Sequence, residues 1–560
     1  MPSNPRDGVH SKANIEADVV VIGAGLSGLV AAAQAYADGK RVAVLDQEPP
    51  ASVGGQAHWS FGGLFLVNSP EQRRLGVKDS PGLALSDWLA SAAFDRPEDS
   101  WARRWAEAYV DFAAGEKRRW LNSLGVRFFP LVQWAERGGY GPQGHGNTVP
   151  RFHVTWGTGP GVVQPFLAKV NDGVARGRIS LHFRHRATGI TTTSGRVTGV
   201  GGEILEASGT GRGEASPRTV VGHFEATAGA VIVTTGGIGG NHATVRKQWP
   251  DGSAPEHMLS GVPASVDGEF LAAAAAAGGR LINGDRMWHY PEGIHNHSPV
   301  WPSHGIRILP GPSSLWIDAT GRQLPPPLFP GFDSLGALRH ILASGHGHSW
   351  FVCNRTIALK EFALSGSEQN PDLTGKDIRL LVSRLNPGSD SPLRLFLDRG
   401  VDFLQAATAA ELAAKMNALT GSALIDPAQL DSLIHDRDLQ VASGLGKDPQ
   451  LAAIRAARRF ATDKFMRVAP PHRLTDPEHG PLLAVRLSVL TRKSLGGLQT
   501  DLRSRVLGDS GVPVPGLYAA GEAAGFGGGG IHGYRALEGT FLGGCLFSGR
   551  AAGRDAAASV

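Results

Sequence analysis

The stretch that most constrains this chain is Asp18-Val19-Val20-Val21-Ile22-Gly23-Ala24-Gly25-Leu26-Ser27-Gly28, followed at once by Leu29-Val30-Ala31-Ala32-Ala33. A β-branched run, a Gly-x-Gly-x-x-Gly turn and an alanine-rich segment predict a strand, a tight turn and a helix. Gly23 permits the turn, Gly25 lets backbone approach a pyrophosphate, and Gly28 lets helix and strand pack closely. The helix N-terminus, with Leu26 and Ser27 in its first turn, offers unpaired N–H groups and its dipole to phosphates. A second strand, Arg41-Val42-Ala43-Val44-Leu45, ends at Asp46 and Gln47. Asp46 lies 23 residues past Gly23, near the ~20 at which a carboxylate meets a ribose hydroxyl. The glycines alone also fit an ordinary βαβ turn; strand, helix and acid together favour a dinucleotide site.

The rest of the chain narrows the class. At 560 residues it exceeds one compact core, so two large domains are expected. A hydrophobic content of 41% with 19% charged residues describes a globular protein. The net charge of +5 comes without a dense Lys/Arg cluster interleaved with aromatics, which argues against nucleic acid and leaves a field suited to an anionic cofactor or substrate. Cys353 and Cys545 are the only cysteines, too few for a disulfide framework or a zinc site, or for an iron–sulfur cluster held by this chain alone; no metal is expected. The first seventeen residues lack the apolar core of a signal peptide, and the valine run before Gly23 is too short to span a bilayer. A cytoplasmic protein without a membrane span is the expectation.

Further glycine turns recur in the same style. Ser60-Phe61-Gly62-Gly63 offers a hydroxyl and small residues that leave room for a flat ring or phosphate. Residues 84–125 have apolar positions at helical spacing, read as core, and 127–150 read as a loop rich in glycine, proline and aromatics. The alternating run 179–233 closes in a buried strand and Thr234-Thr235-Gly236-Gly237, and Val266-Asp267-Gly268 precedes an alanine-rich helix. From about residue 290 to 485 the composition shifts to prolines and polar loops. Then Gly516-Leu517-Tyr518-Ala519-Ala520-Gly521-Glu522, a glycine run and a small-residue helix return to the opening pattern. The expected fold is α/β: a discontinuous Rossmann-like domain over 1–289 and 486–560, with an inserted α+β capping domain over 290–485.

These segments, in this order, resemble the fumarate reductase/succinate dehydrogenase flavoprotein superfamily, which includes the 3-ketosteroid dehydrogenases. The resemblance implies FAD, with Gly23, Gly25, Leu26, Ser27, Gly28, Asp46, Gln47, Ser60, Gly62, Gly63, Thr235, Gly236, Asp267, Gly521, Glu522 and Leu537 around it, Glu522 near the ribityl or pyrophosphate region. Members with covalent flavin carry a His six residues before the glycine pair. Here Gln56 stands in that place and His58 two places off, which implies non-covalent FAD.

The resemblance also implies a reaction that adds or removes two hydrogens across a C–C bond beside a carbonyl or carboxylate, with hydride passing through flavin N5 and an acid/base moving the proton. The dicarboxylate clamp of fumarate reductases is not kept. Tyr290 stands on one histidine position, Lys493 on the other with Arg492 before it, and Arg535 lies one place early; the proton-donating arginine has no counterpart in 325–330. Tyr290 and Tyr534 resemble the tyrosines of ketosteroid dehydrogenases, with His532 or Arg535 to lower a phenol's pKa. Tyr290, His532, Tyr534, Arg535 and Lys493 are therefore the expected catalytic residues, acting on a small-molecule ketone or enoic acid. Electrons are expected to pass to or from a separate carrier or quinone, since no second strand–Gly-x-Gly-x-x-Gly–helix unit implies NADH. An FAD oxidase or monooxygenase and a catalytically silent FAD-binding protein are the alternatives, and the oligomeric state is open.

Overall fold

The computed structural model describes residues 11–139, 146–383 and 392–560. Residues 1–10, and 140–145 of the expected loop, lie outside the described residues. The opening stretch folds into the strand Val19–Ile22 and the helix Leu26–Ala37. Around it a six-stranded sheet runs in the order Arg505–Leu507, Pro513–Ala519, Ala230–Val233, Val19–Ile22, Val42–Asp46 and Ile179–Phe183. The last five are parallel neighbours and the first is an antiparallel edge. Parallel strands are covered on both faces, so they read as unbroken apolar runs. Val19, Val20, Val21, Ala230, Val231, Ile232 and Val233 are all fully buried, each valine or isoleucine contributing about 1.5–3 kcal/mol of apolar burial.

Close backbone packing holds this layer together. A side chain at Gly28 would place its Cβ 1.9 Å from the Gly23 carbonyl oxygen, so the first helix lies directly on the first turn. The C-terminal helix Thr540–Ala558 presses on that helix in turn. Cβ atoms at Gly549 and Gly553 would meet the Ser27 and Ala31 carbonyl oxygens at 2.6 and 2.4 Å. Both ends of the chain thus build one layer.

A second, mostly antiparallel sheet follows the order Leu315–Asp318, His348–Asn354, Leu482–Ser494, Met287–His295, Gly305–Leu309 and Ala363–Leu364, with Leu259–Ser260 and Phe403–Ala406 also paired to Leu482–Ser494. The expected boundaries at 289/290 and 485/486 both fall inside strands of this sheet, Met287–His295 and Leu482–Ser494. A four-stranded sheet includes Arg196–Leu205 and Val220–Thr227. In the segment read as a loop, Phe128–Gln133 is instead a strand. It pairs with Phe152–Thr155, half-burying β-prone Phe128 and Phe129 that the glycines and prolines around them had masked. Trp88, Trp105, Tyr109 and Leu121 are buried in the core, as their helical spacing predicts. Among the described residues no helix is long and apolar enough to cross a membrane.

Gly28→Ala should lower the protein's stability by roughly 1–3 kcal/mol through overpacking, read as a lower melting temperature. At Gly25, φ is −72° and no atom lies within 4 Å of an added Cβ, so Gly25→Ala should leave the melting temperature of the flavin-free protein unchanged. Equal melting of the two variants would refute the packing role.

Candidate active site

The carboxyl ends of the parallel strands open into one long cavity, closed on its far side by the second sheet. Ile22, Gly23, Leu45, Asp46 and Thr234 line the first end, and Tyr290, Arg307, Leu309, Arg492 and Lys493 the other. Ligands of open α/β sheets sit at this place. Of the residues expected at a cofactor, Gly23, Gly25, Leu26, Ser27, Asp46, Gln47, Ser60, Gly62, Gly63, Thr235, Gly236, Asp267 and Glu522 line it.

Asp46 accepts hydrogen bonds from the Ala24 and Glu48 amides at 2.7 and 2.8 Å. Burial nevertheless pushes its pKa up to about 6. Gln47 donates to the Ser265 carbonyl at 3.2 Å, and Asp267 accepts from the Glu269 amide at the start of the helix Glu269–Ala276. Ser60 Oγ accepts from the Gly62 amide at 3.2 Å. The glycine pair has a reason other than room for a ring. Cβ atoms at Gly62 and Gly63 would strike the Thr158 backbone at 2.4 Å and the Phe152 ring at 1.9 Å.

Glu522 joins three distant segments. Its carboxylate accepts from the Ser494 amide at 2.8 Å and from Gln56 Nε2 at 2.6 Å, and burial raises its pKa. Gly28, Gly521 and Leu537 do not line the cavity. Gly28 holds the helix to the turn, Gly521 (φ +66°) leaves room for Ser27 Oγ, and Leu537 is buried in a hydrophobic cluster with Trp88, Tyr290 and Phe541.

The expected catalytic set separates in two. Tyr290 and Lys493 line the cavity. His532, Tyr534 and Arg535 do not. A run of glycines in left-handed backbone, Gly527 to Gly530 and Gly533, turns that segment back into the core. His532 stacks on Trp88 at 5.6 Å between centroids and bonds Thr540 Oγ1 at 2.9 Å; burial depresses its pKa to about 3, so it is a neutral core residue. The Tyr534 hydroxyl donates to Asp95 at 3.1 Å beneath the Arg286 guanidinium. Arg535 is paired with Asp333. Neither His532 nor Arg535 is placed to tune Tyr290.

Tyr290 has other neighbours. Its hydroxyl donates to Glu538 Oε1 at 3.2 Å and accepts from Lys493 Nζ at 3.3 Å, and Arg307 lies over its ring at 3.9 Å. Burial and the Glu538 carboxylate hold the phenol well above its ordinary pKa of 10. Burial and adjacent Arg492 bring Lys493 down to about 7. Arg307 sits among three acids, at 2.8 Å from Glu136, 2.7 Å from Glu538 and 3.4 Å from Glu292. Arg492 makes no ion pair or side-chain hydrogen bond among the described residues. Arg307 and Glu538 escaped notice in the sequence. Arg307 announced itself only as a charge inside the apolar run Gly305-Ile306-Arg307-Ile308-Leu309.

A dinucleotide fits this cavity. Gly25 presents open space beside a helix N-terminus, Asp46 stands at the strand end, and the buried Thr235 hydroxyl has no partner among the described residues. Glu522→Gln should lower the flavin recovered per chain; undiminished flavin would remove Glu522 from the binding set.

Comparison with known proteins agrees with that geometry. The FAD binding domain family matches residues 18–542. A KsdD-like steroid dehydrogenase of Mycobacterium tuberculosis is 59% identical over 549 residues, covering 98% of this chain and 96% of that protein. The 3-ketosteroid Δ1-dehydrogenase of Sterolibacterium denitrificans, solved with 1,4-androstadiene-3,17-dione, shares the fold with a TM-score of 0.69 at 17% identity, covering 97% of this chain and 100% of that one. A flavocytochrome c3 fumarate reductase does so with a TM-score of 0.65 at 20% identity, over 97% and 78%. The chain belongs to the FAD binding domain family and is an FAD-dependent oxidoreductase acting on CH–CH groups.

Proposed function

We propose that this protein dehydrogenates, or in reverse reduces, a steroid-like ketone at the C–C bond beside its carbonyl. The observation that carries the reading is the convergence of Tyr290, Lys493 and unpaired Arg492 on an apolar wall of Phe61, Phe152, Leu309 and Phe541, in the cavity that also holds Gly25 and Glu522. The 59% identity to a protein named a steroid dehydrogenase supports the substrate class. Bound FAD supplies the two-electron chemistry, accepting or returning a hydride.

The residues divide the remaining work. Dehydrogenation removes a proton from the carbon next to the ketone and a hydride from the carbon beyond it, leaving a C=C bond. The ketone acidifies the first C–H as its oxygen gains negative charge, so donors at that oxygen lower the barrier. Arg492 supplies a cation for it, and Tyr290, kept protonated, supplies an O–H. Lys493, pushed to about 7, has an unprotonated amine above that pH and takes the proton directly. Its ammonium lies 4.1 Å from the Phe541 ring centroid, which shelters it from water.

We further propose that FAD is held non-covalently, since Gln56 is tied to Glu522 and offers no nucleophile. We propose an FAD-binding Rossmann-like unit of 1–289 and 486–560 with 290–485 as its cap, the strands at both junctions carrying catalytic groups across. Electrons are exchanged with a separate carrier or quinone, because the chain carries one dinucleotide motif.

The test is anaerobic. Mixing oxidised holoenzyme with a saturated 3-ketosteroid should bleach the flavin, and a steroid enone should recolour the reduced form. Failure of both, with prompt recolouring in air, would point instead to an oxidase. Tyr290→Phe should retain flavin while slowing bleaching by roughly 10²–10⁴-fold; an unchanged single-turnover rate would refute its role. Because Lys493 acts as a base only when neutral, the bleaching rate should rise as pH increases through about 7. Lys493→Arg should abolish that rise, and its persistence would place the proton acceptor elsewhere.

A further inference from the structure

The loop 206–219, between the strands Arg196–Leu205 and Val220–Thr227, contributes Arg212, Gly213 and Glu214 to the lining of the cavity. The Arg212 guanidinium donates to the Val53 carbonyl at 2.5 Å. The next residue, Gly54, donates its amide to the Ala24 carbonyl at 2.9 Å and bridges Gly25. Gly55 lies so close that its Cβ would fall 3.3 Å from Gly25 Cα. Arg212 is therefore anchored beside the one turn in the cavity whose missing side chain faces open space.

Charge singles it out as well. At this end of the cavity Arg186 is paired with Glu203, and neighbouring Arg218 with Glu48. Among the described residues Arg212 has no carboxylate within ion-pair distance, and its side chain donates to a neutral carbonyl. A half-buried guanidinium keeps most of its donors for a ligand oxygen, and its planar fork matches phosphate oxygens. The helix N-terminus at Leu26 lines the same cavity.

The loop is also wedged in place. Gly213 has φ +82°, and its Cβ would lie 2.8 Å from the Trp59 ring and 3.3 Å from Trp301. Trp59 follows the short helix Gly55–His58, and Trp301 precedes the strand Gly305–Leu309 of the second sheet. Those two rings pack edge to face, 5.1 Å between centroids, so the loop is seated on one aromatic pair.

We propose that loop 206–219 is a strap that closes over the bound cofactor, with Arg212 clamping the FAD diphosphate against the Gly25 turn. The proposal rests on the assignment of FAD to this cavity. It makes Arg212 a phosphate ligand from outside the glycine motif, brought there by a β-hairpin loop.

The experiment compares flavins with and without the phosphates. Flavin is stripped from the full-length protein and rebound, and dissociation constants for FAD and riboflavin are read from flavin fluorescence at low and high salt. FAD release from the holoenzyme on dilution is followed in parallel. Arg212→Met should weaken FAD at least tenfold, speed its release and flatten the salt dependence, while riboflavin binding stays unchanged. Arg212→Lys should restore part of the affinity. Gly213→Ala, which pushes the loop off Trp59, should weaken FAD in the same direction with Arg212 intact. Unchanged FAD affinity in Arg212→Met, or equal losses for FAD and riboflavin, would overturn the clamp. Wild-type protein that binds no FAD would overturn the flavin assignment and the strap with it.

Discussion

The cavity depends on one buried carboxylate. Glu522 sits at the end of the strand Pro513–Ala519, accepts the Gln56 amide from the N-terminal half, and accepts the Ser494 amide at the end of the second sheet's longest strand. A buried carboxylate without partners costs several kcal/mol, so these bonds leave the three segments few alternative placements. The fit is tight on every side. Ser494 Oγ accepts the Ile238 amide, and a Cβ at Gly237 would lie 2.3 Å from that oxygen and 2.4 Å from Glu522. Glycine is the residue that closes this corner. Because Ser494 is fixed there, Arg492 and Lys493 just before it are delivered into the cavity.

From that junction the charges along the cavity follow an order. At the sheet end, helix N-terminus and Arg212 present positive potential to phosphates. At the far end Arg307 is consumed by Glu136, Glu292 and Glu538, and burial raises Glu292 to about 7 despite Arg307, so one acid of that group holds a proton near neutrality. Arg307 is thereby a scaffold for Tyr290, while Arg492 and Lys493 remain available to a substrate. Burial of Lys493, with the adjacent Arg492 guanidinium adding to it, disfavours the ammonium and frees the lysine amine near neutral pH.

Much of the cofactor half was legible in the sequence, since a phosphate turn demands particular residues in a fixed order: Gly23 turns with φ +104° and Gly28 packs the helix on that turn as expected, and Gly25 faces open space at the helix start. The catalytic half was less legible. Tyr290 and Lys493 stood in aligned positions and reach the cavity, but His532, Tyr534 and Arg535 were placed by the same logic and point elsewhere. Their direction is set by consecutive left-handed glycines, whose turns no periodicity encodes. Arg307 and Glu538 find each other across 231 residues, a pairing that only the folded sheets create. Even correct positions had unforeseen reasons: Gly62 and Gly63 line the cavity, yet it is Thr158 and Phe152 that exclude a side chain there.

The same principle explains how 76 glycines coexist with a well-packed protein. Glycine carries an entropic cost in ordered structure, which is offset only where backbones must touch or turn. The first helix and the C-terminal helix meet through Gly549 and Gly553, the helix and turn through Gly28, and the strap and its tryptophans through Gly213. At each of these places two distant segments share a space too narrow for a side chain, and Gly23, Gly62 and Gly63 do the same in the lining of the cofactor cavity.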